Sequence, residues 1–335
     1  IMAFAFIKHD TKIDFIGKRH IAYAISILLL LVGLGSALWG NGLRMGIDFA
    51  GGVIVQVQFA QPVEDEVLKK SLDVPELPDI STQRFGEGTR DYLLRFSFAE
   101  NTDAAALRTN VLTALAKAFP GNDVEIQRLE MVGPKVGNDL TNKALGALYY
   151  ATLLIAVYIS GRFEQRWMAG VAMAAVLWGG MYLAGLTGLS MGWLVLVALG
   201  ITLVVCFVLK LNFALGALVG LIHDVFITVG LLSLMGVEID LNVMAALLTL
   251  VGYSLNDTII VYDRLRENLR AAPKQPLDAL INRSVNQTLS RTILTSGTTF
   301  VATLALYLLG GGVIHDFALT MLIGDCALAF ERLPL

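Results

Sequence analysis

Val251-Gly252-Tyr253-Ser254-Leu255-Asn256-Asp257-Thr258-Ile259-Ile260-Val261-Tyr262 places a carboxylate inside an apolar run that reads as a membrane-spanning helix. An ionised group near the middle of such a helix costs about 2.5–3.5 kcal/mol on insertion scales. A chain that keeps one there gives it a partner or a wet cavity, and the position marks an ion or proton route. At helical spacing Ser254, Asp257 and Val261 share a face that continues to Arg264. The next apolar run opens with Arg291, the candidate partner. Thr288, Arg291, Thr295, Thr298 and Ala302 recur every three or four residues there, so a guanidinium and a ladder of hydroxyls point one way.

Composition extends this reading to the whole chain. Of 335 residues, 56% are hydrophobic and 16% charged, and the mean hydropathy of +0.67 lies outside the range of soluble domains. The chain is an α-helical polytopic membrane protein by this measure, and nucleic acid is set aside as a partner. Cys206 and Cys326 lie in separate apolar runs, so neither a disulfide framework nor a thiolate metal site is indicated. No nucleotide loop, metal-ligand cluster or activated nucleophile is present; Gly310-Gly311-Gly312 lacks the Lys-Ser/Thr of a P-loop. Neither enzyme activity nor a cofactor is expected.

Eight apolar stretches are long enough to be candidate spans: 21–39, 144–160, 167–186, 193–209, 213–235, 241–262, 292–309 and 313–330. Lys18, Arg19 and His20 precede the first, which is longer than a signal h-region and is read as a retained anchor. Lys and Arg cluster before the first stretch, after the second, at Lys210, and between the sixth and seventh, so every second loop is basic. The positive-inside rule then puts both termini and the 263–290 loop in the cytoplasm, and residues 41–143 outside.

That outside segment has its own pattern. Val53, Val55, Val57 and Phe59 alternate with polar or outward residues as a strand does. Residues 63–72 and 102–119 read as helices, with Thr102 or Asp103 as a cap for the second; residues 80–85, 92–98 and 124–132 read as strands. The order β-α-β-β-α-β is that of an α+β ferredoxin-like domain. It holds no convergent His, Cys or carboxylate cluster, which favours a binding or mechanical role.

A third polar point lies in the fifth apolar stretch, where His223 and Asp224 sit about halfway along. The residues themselves leave two readings open. Asp257, Arg291, His223, Asp224, Asn256, Thr288 and Thr295 serve a proton path, or they form static pairs that fix helix registry.

Several ordered motifs resemble those of the SecD/SecF protein-translocation family, itself related to the resistance-nodulation-division (RND) transporters. Gly46-Ile47-Asp48-Phe49-Ala50-Gly51-Gly52 is similar to that family's Gly-Ile-Asp-Phe-x-Gly-Gly, with Gly46, Asp48, Gly51 and Gly52 as its motif residues. Val132-Gly133-Pro134-Lys135-Val136-Gly137, His223-Asp224, Gly252 to Asn268 and Asn286 to Thr292 follow in order. The resemblance implies a SecF-like subunit acting with SecD, the SecYEG channel and YajC on a translocating preprotein, driven by the proton gradient across the bacterial inner membrane. It also implies that Asp257 and Arg291 are the proton-pathway carboxylate and arginine. Two departures stand out. The family has six spans, whereas residues 165–210 insert an apolar hairpin suited to lipid or partner packing. The last span, with Asp325 in it, is short and oddly charged. The organisation expected is therefore a cytoplasmic segment 1–20, a first span 21–40, the outer domain 41–143, and a membrane bundle 144–335.

Overall fold

The period-two pattern of residues 52–59 forms a strand in which Val53, Val55, Val57 and Phe59 are buried and Gln58 is exposed. The computed structural model describes residues 13–39, 42–72, 80–84, 90–96, 104–185 and 190–331. Chain order is α1 (Arg19–Trp39); then α2 (Ile47–Ala50), β1 (Gly52–Phe59), α3 (Asp65–Ser71), β2 (Ser81–Arg84), β3 (Asp91–Phe96), α4 (Ala104–Ala118) and β4 (Val124–Val132). It continues with α5 (Pro134–Glu164), α6 (Trp167–Gly185), α7 (Met191–Val208), α8 (Asn212–Met235), α9 (Leu241–Ala271), α10 (Leu277–Leu309) and α11 (Gly312–Glu331). Two units result: Met45–Lys143, and the helices on either side of it in sequence.

The small unit is a four-stranded antiparallel sheet of order β2-β3-β1-β4 with a register shift between Gln56 and Val57. With its β-α-β-β-α-β chain order this is the ferredoxin-like arrangement. Its core joins Val53, Val55, Val57, Tyr92 and Leu94 of the sheet to Leu68 of α3 and Val111 and Leu115 of α4. The buried Tyr92 hydroxyl donates to Val63 O at 2.5 Å, so the ring adds apolar area without leaving its polar tip unsatisfied. The proposed caps Thr102 and Asp103 lie outside the described residues.

Two motif segments meet in this unit. Gly51, at φ +75°, ends the single turn of α2, and a Cβ there would lie 3.1 Å from Pro134 Cα. A Cβ on Gly137 would lie 2.8 Å from Phe49 O. Glycine is required at Gly51 by backbone angle and at Gly137 by space.

In the helical unit all eight expected stretches form helices, several of them longer than the apolar runs. Helix α5 starts at 134 rather than 144, with Pro134 at its first position, where a missing N–H costs nothing. The segment 263–290 is not a loop. Helix α9 runs on to Ala271 and α10 starts at Leu277, leaving only 272–276 as the connection. By length and composition six helices among the described residues can cross a membrane: Ile16–Leu38, Pro134–Glu164, Met191–Val208, Asn212–Met235, Leu241–Ala271 and Leu277–Leu309. These include α7 of the hairpin, whereas Trp167–Gly180 of α6 is a shorter apolar helix.

The hairpin α6–α7 leaves and rejoins the bundle at one place. Gln165 and Lys210, at φ +57° and +55°, make the two sharp joins. Arg166 donates to Leu209 O at 2.7 Å, latching one end of the excursion to the other. Across the gap, Glu164 Oε1 accepts from Phe213 N at 2.9 Å, satisfying a first-turn donor of α8, and Phe163 stacks on Phe213 at 5.5 Å. Helices α5 and α8 are therefore joined across the hairpin by their own contacts.

Helix α1 packs along α8 at small residues. A Cβ on Gly33 would lie 2.8 Å from Gly230 Cα, and Ser36 Oγ is 3.1 Å from Ser233 Oγ. Backbones approach this closely only where both faces lack side chains. With Cys206 and Cys326 replaced by Ser, a Ser36→Cys/Ser233→Cys pair is expected to oxidise readily in membranes. Adding Gly33→Leu is expected to suppress that cross-link, as read by gel mobility after proteolysis between the two positions.

Candidate functional site

Helix α9 carries the site because its polar residues fall on the face turned toward α8 and α10. Asp240 caps it, accepting from Val243 N at 2.8 Å. One turn apart, Ser254 and Asp257 are both buried, with Asp257 1% exposed. Asn256, next in sequence but on the opposite side, is exposed.

Ser254 Oγ donates to Asp224 Oδ2 on α8 at 2.6 Å, and Asp224 is 3% exposed. His223 Nδ1 lies 3.6 Å from Asp224 Oδ1, beyond ordinary hydrogen-bond length. On the other side of α9, Thr295 Oγ1 of α10 reaches Asp257 Oδ1 at 3.5 Å. The same hydroxyl is 3.0 Å from both Arg291 O and Thr292 O of its own helix. It has one proton to give, so its bond to Asp257 competes with two backbone carbonyls. Two buried carboxylates thus lie on adjacent helices of the bundle, and a hydroxyl from the facing helix reaches each.

The other proposed residues are placed as follows. Arg291 lies one turn from Thr295 toward the 272–276 end, is exposed, and forms no ion pair among the described residues. The direct Asp257–Arg291 pair suggested by the sequence is not made, because Arg291 faces outward from α10 while Asp257 faces the α9–α10 seam. Thr288 is buried but donates to Ser284 O and Val285 O of its own helix, at 3.0 and 3.1 Å. Gly46, Asp48, Gly51 and Gly52 belong to the small unit, where they shape the α2 turn. Asp325 is buried in α11 at 2% exposure. Among the described residues no group of three or more His, Cys, Asp and Glu side chains is arranged to hold a metal.

Sequence reasoning missed the bond between Ser254 and Asp224. The face shared by Ser254 and Asp257 was visible in the i, i+3 spacing; which helix supplies its partner was not.

A family model described as the protein export membrane protein SecD/SecF, C-terminal, matches residues 111–191 and 184–327, and one described as the SecD/SecF GG motif matches residues 36–63. The chain belongs to the SecD/SecF protein-export family. The two matched stretches of the SecD/SecF C-terminal model meet inside the α6–α7 hairpin. Relatives named protein translocase subunit SecF include that of Calditerrivibrio nitroreducens, 36% identical over 320 residues, covering 95% of this chain and 90% of that protein. Those of Magnetococcus marinus and Escherichia coli O157:H7 are 41% and 35% identical, covering 94% and 95% of this chain and 86% and 84% of theirs. The fold is similar to the crystal structure of SecDF, a translocon-associated membrane protein, from Thermus, with a TM-score of 0.71 and 28% identity. That match covers 98% of this chain and 38% of the other.

Ser254→Ala leaves the buried Asp224 carboxylate without its hydroxyl donor and is expected to cost about 1–2 kcal/mol. Asn256→Ala, on the exposed side of the same helix, is expected to stay within about 0.5 kcal/mol. Thermal unfolding of the two purified variants in one detergent compares them directly.

Proposed function

We infer that the protein is a SecF-like accessory subunit of the Sec protein translocase. It works with SecD, beside the SecYEG channel and YajC, and uses the proton motive force to promote late steps of preprotein translocation. The observation that carries this reading is Asp257, a carboxylate buried at the seam of two membrane-spanning helices with a shared hydroxyl as its neighbour. The names of the relatives and of the matched solved structure support the assignment to Sec-dependent export. The chain is a multi-pass membrane protein of the inner membrane with both termini cytoplasmic, and residues 41–143 form its periplasmic domain.

The chemistry required of the chain is proton transfer alone. While Asp257 is ionised, the Thr295 proton is directed to it and ties α9 to α10. Protonation removes the charge, and the hydroxyl turns to the carbonyls of Arg291 and Thr292, already at bonding distance. The tie between the helices weakens, and the bundle moves to a second arrangement. Asp224 and His223 form a secondary polar pair on α8, held to α9 through Ser254.

Arg291, exposed on α10 one turn from Thr295, is the fixed positive charge of the pathway. An arginine exposed on a spanning helix is costly against lipid. That surface is therefore the face covered by SecD, whose bundle shields the guanidinium and keeps the region around it wet.

The test is export of a secreted reporter in membranes containing this protein and its SecD partner, with and without a proton gradient. Asp257→Asn and Arg291→Met are each expected to abolish stimulation by the gradient while leaving the complex assembled. Undiminished stimulation in Asp257→Asn contradicts the proton-driven reading.

A further inference from the structure

At the end of the bundle where α9 turns into α10, three side-chain amides hold the helices together. Residues 13–16, just before α1, lie along α10 as a strap. Ile13 N donates to Asn286 Oδ1 at 3.0 Å, and Asn286 Nδ2 donates back to Ile13 O at 2.8 Å. Asn282 Oδ1 accepts from both Phe15 N and Ile16 N, at 2.9 and 3.0 Å, while its Nδ2 donates to Asp14 Oδ1 at 2.8 Å. Gly17 N donates to the same Asp14 oxygen at 2.9 Å. These two donors, Gly17 first and Asn282 second, hold the Asp14 carboxyl below the ordinary aspartate range, so the strap is fully charged at neutral pH.

Phe15 drives the strap home. It is 1% exposed and clusters with Val285 and Leu289, and Val261 of α9 and Ile281 of α10 pack against that cluster. The third amide, Asn268 near the end of α9, donates to Ser284 Oγ at 2.9 Å and Gln287 Oε1 at 3.0 Å, both on α10. Bidentate amide pairs and multiply used carbonyl oxygens fix orientation as well as distance. Helices α1, α9 and α10 are thus fastened at one end. Farther along, α9 meets α10 through the long Thr295–Asp257 contact, which a proton on Asp257 changes.

We propose that Asn268, Asn282 and Asn286 form a pivot, which holds the 272–276 end of α1, α9 and α10 together so that a change of charge at Asp257 tilts α10 and displaces its opposite end. These are positioning residues and take up no proton. The proposal rests on the proton-driven reading above. A pinned end converts a small change beside Asp257 into a larger displacement at the far end of α10. Without the pin the same change lets α10 slide as a whole and delivers less motion there.

The test uses paired spin labels in the assembled complex, with Cys206 and Cys326 replaced by Ser. One pair sits at the pinned end, at the exposed His20 and Arg283. The other sits at the opposite end, at Leu38 and Leu308, which are 65% and 67% exposed. Replacing Asp257 by Asn, to mimic the protonated state, is expected to change the Leu38–Leu308 distance by about 2 Å or more and leave the His20–Arg283 distance unchanged. In an Asn282→Asp background, which sets a second carboxylate against Asp14, the His20–Arg283 distance is expected to shift as well. The exchange Asp14→Asn with Asn282→Asp restores a complementary pair and is expected to return the parent pattern. The pivot is overturned if both distances change together in the parent, if neither changes, or if the exchange restores nothing. Because this readout does not use export, failure of the gradient assay with Asp257→Asn sinks the proton-driven reading separately.

Discussion

A carboxylate held inside a membrane helix is the constraint around which the bundle is arranged. Asp257 and Asp224 are both almost fully buried, and a hydroxyl from the facing helix reaches each, that of Thr295 and that of Ser254. Neither hydroxyl can reach its carboxylate unless α9 lies between α8 and α10 with its Ser254–Asp257 face in the two seams. The asymmetry between the two contacts separates their roles. At 2.6 Å the Ser254–Asp224 bond is short, and it fixes α9 against α8. At 3.5 Å, with two carbonyls competing for the same proton, the Thr295–Asp257 contact is the one that a change of charge alters.

The surroundings divide along the same line. Helix α1 lies tight on α8 at Gly33 and Gly230. Helix α10 stands on the other side of α9, while α11 packs against α8, α9 and α10 alike, its Met321 and Phe317 meeting Ala246, Leu250 and Tyr253 of α9. The amide cluster of Asn268, Asn282 and Asn286 fastens the strap, α9 and α10 to one another at the 272–276 end. The inserted hairpin leaves this arrangement undisturbed because its ends are latched by Arg166 and Leu209, while Glu164 and Phe213 join α5 to α8 directly.

The parts of the fold legible in the sequence were those written as periodic burial. Alternation gave the strands of the small domain, and apolar runs gave eight helices in their right order. Helix ends were less visible, because α5, α9 and α10 continue into polar sequence where their stability comes from tertiary packing and amide bonds instead of an apolar stripe. Asp257 and Asp224 stood out by the cost of their position. The partner chosen for Asp257, Arg291, did not follow, because charge complementarity in a sequence says nothing about which face of α10 turns toward α9. The strap before α1 was the least legible element. Its anchors are asparagines bonding to backbone, and neither spacing nor composition distinguishes such a residue from a solvated one.

Asp257 gains and loses a proton in the working complex. Difference infrared spectroscopy of the complex reconstituted with SecD in vesicles, across a pH step, reads this directly through the carbonyl stretch of a neutral carboxyl. A band is expected that appears on acidification, vanishes in Asp257→Asn and survives in Asp224→Asn. A spectrum unaltered by Asp257→Asn contradicts it.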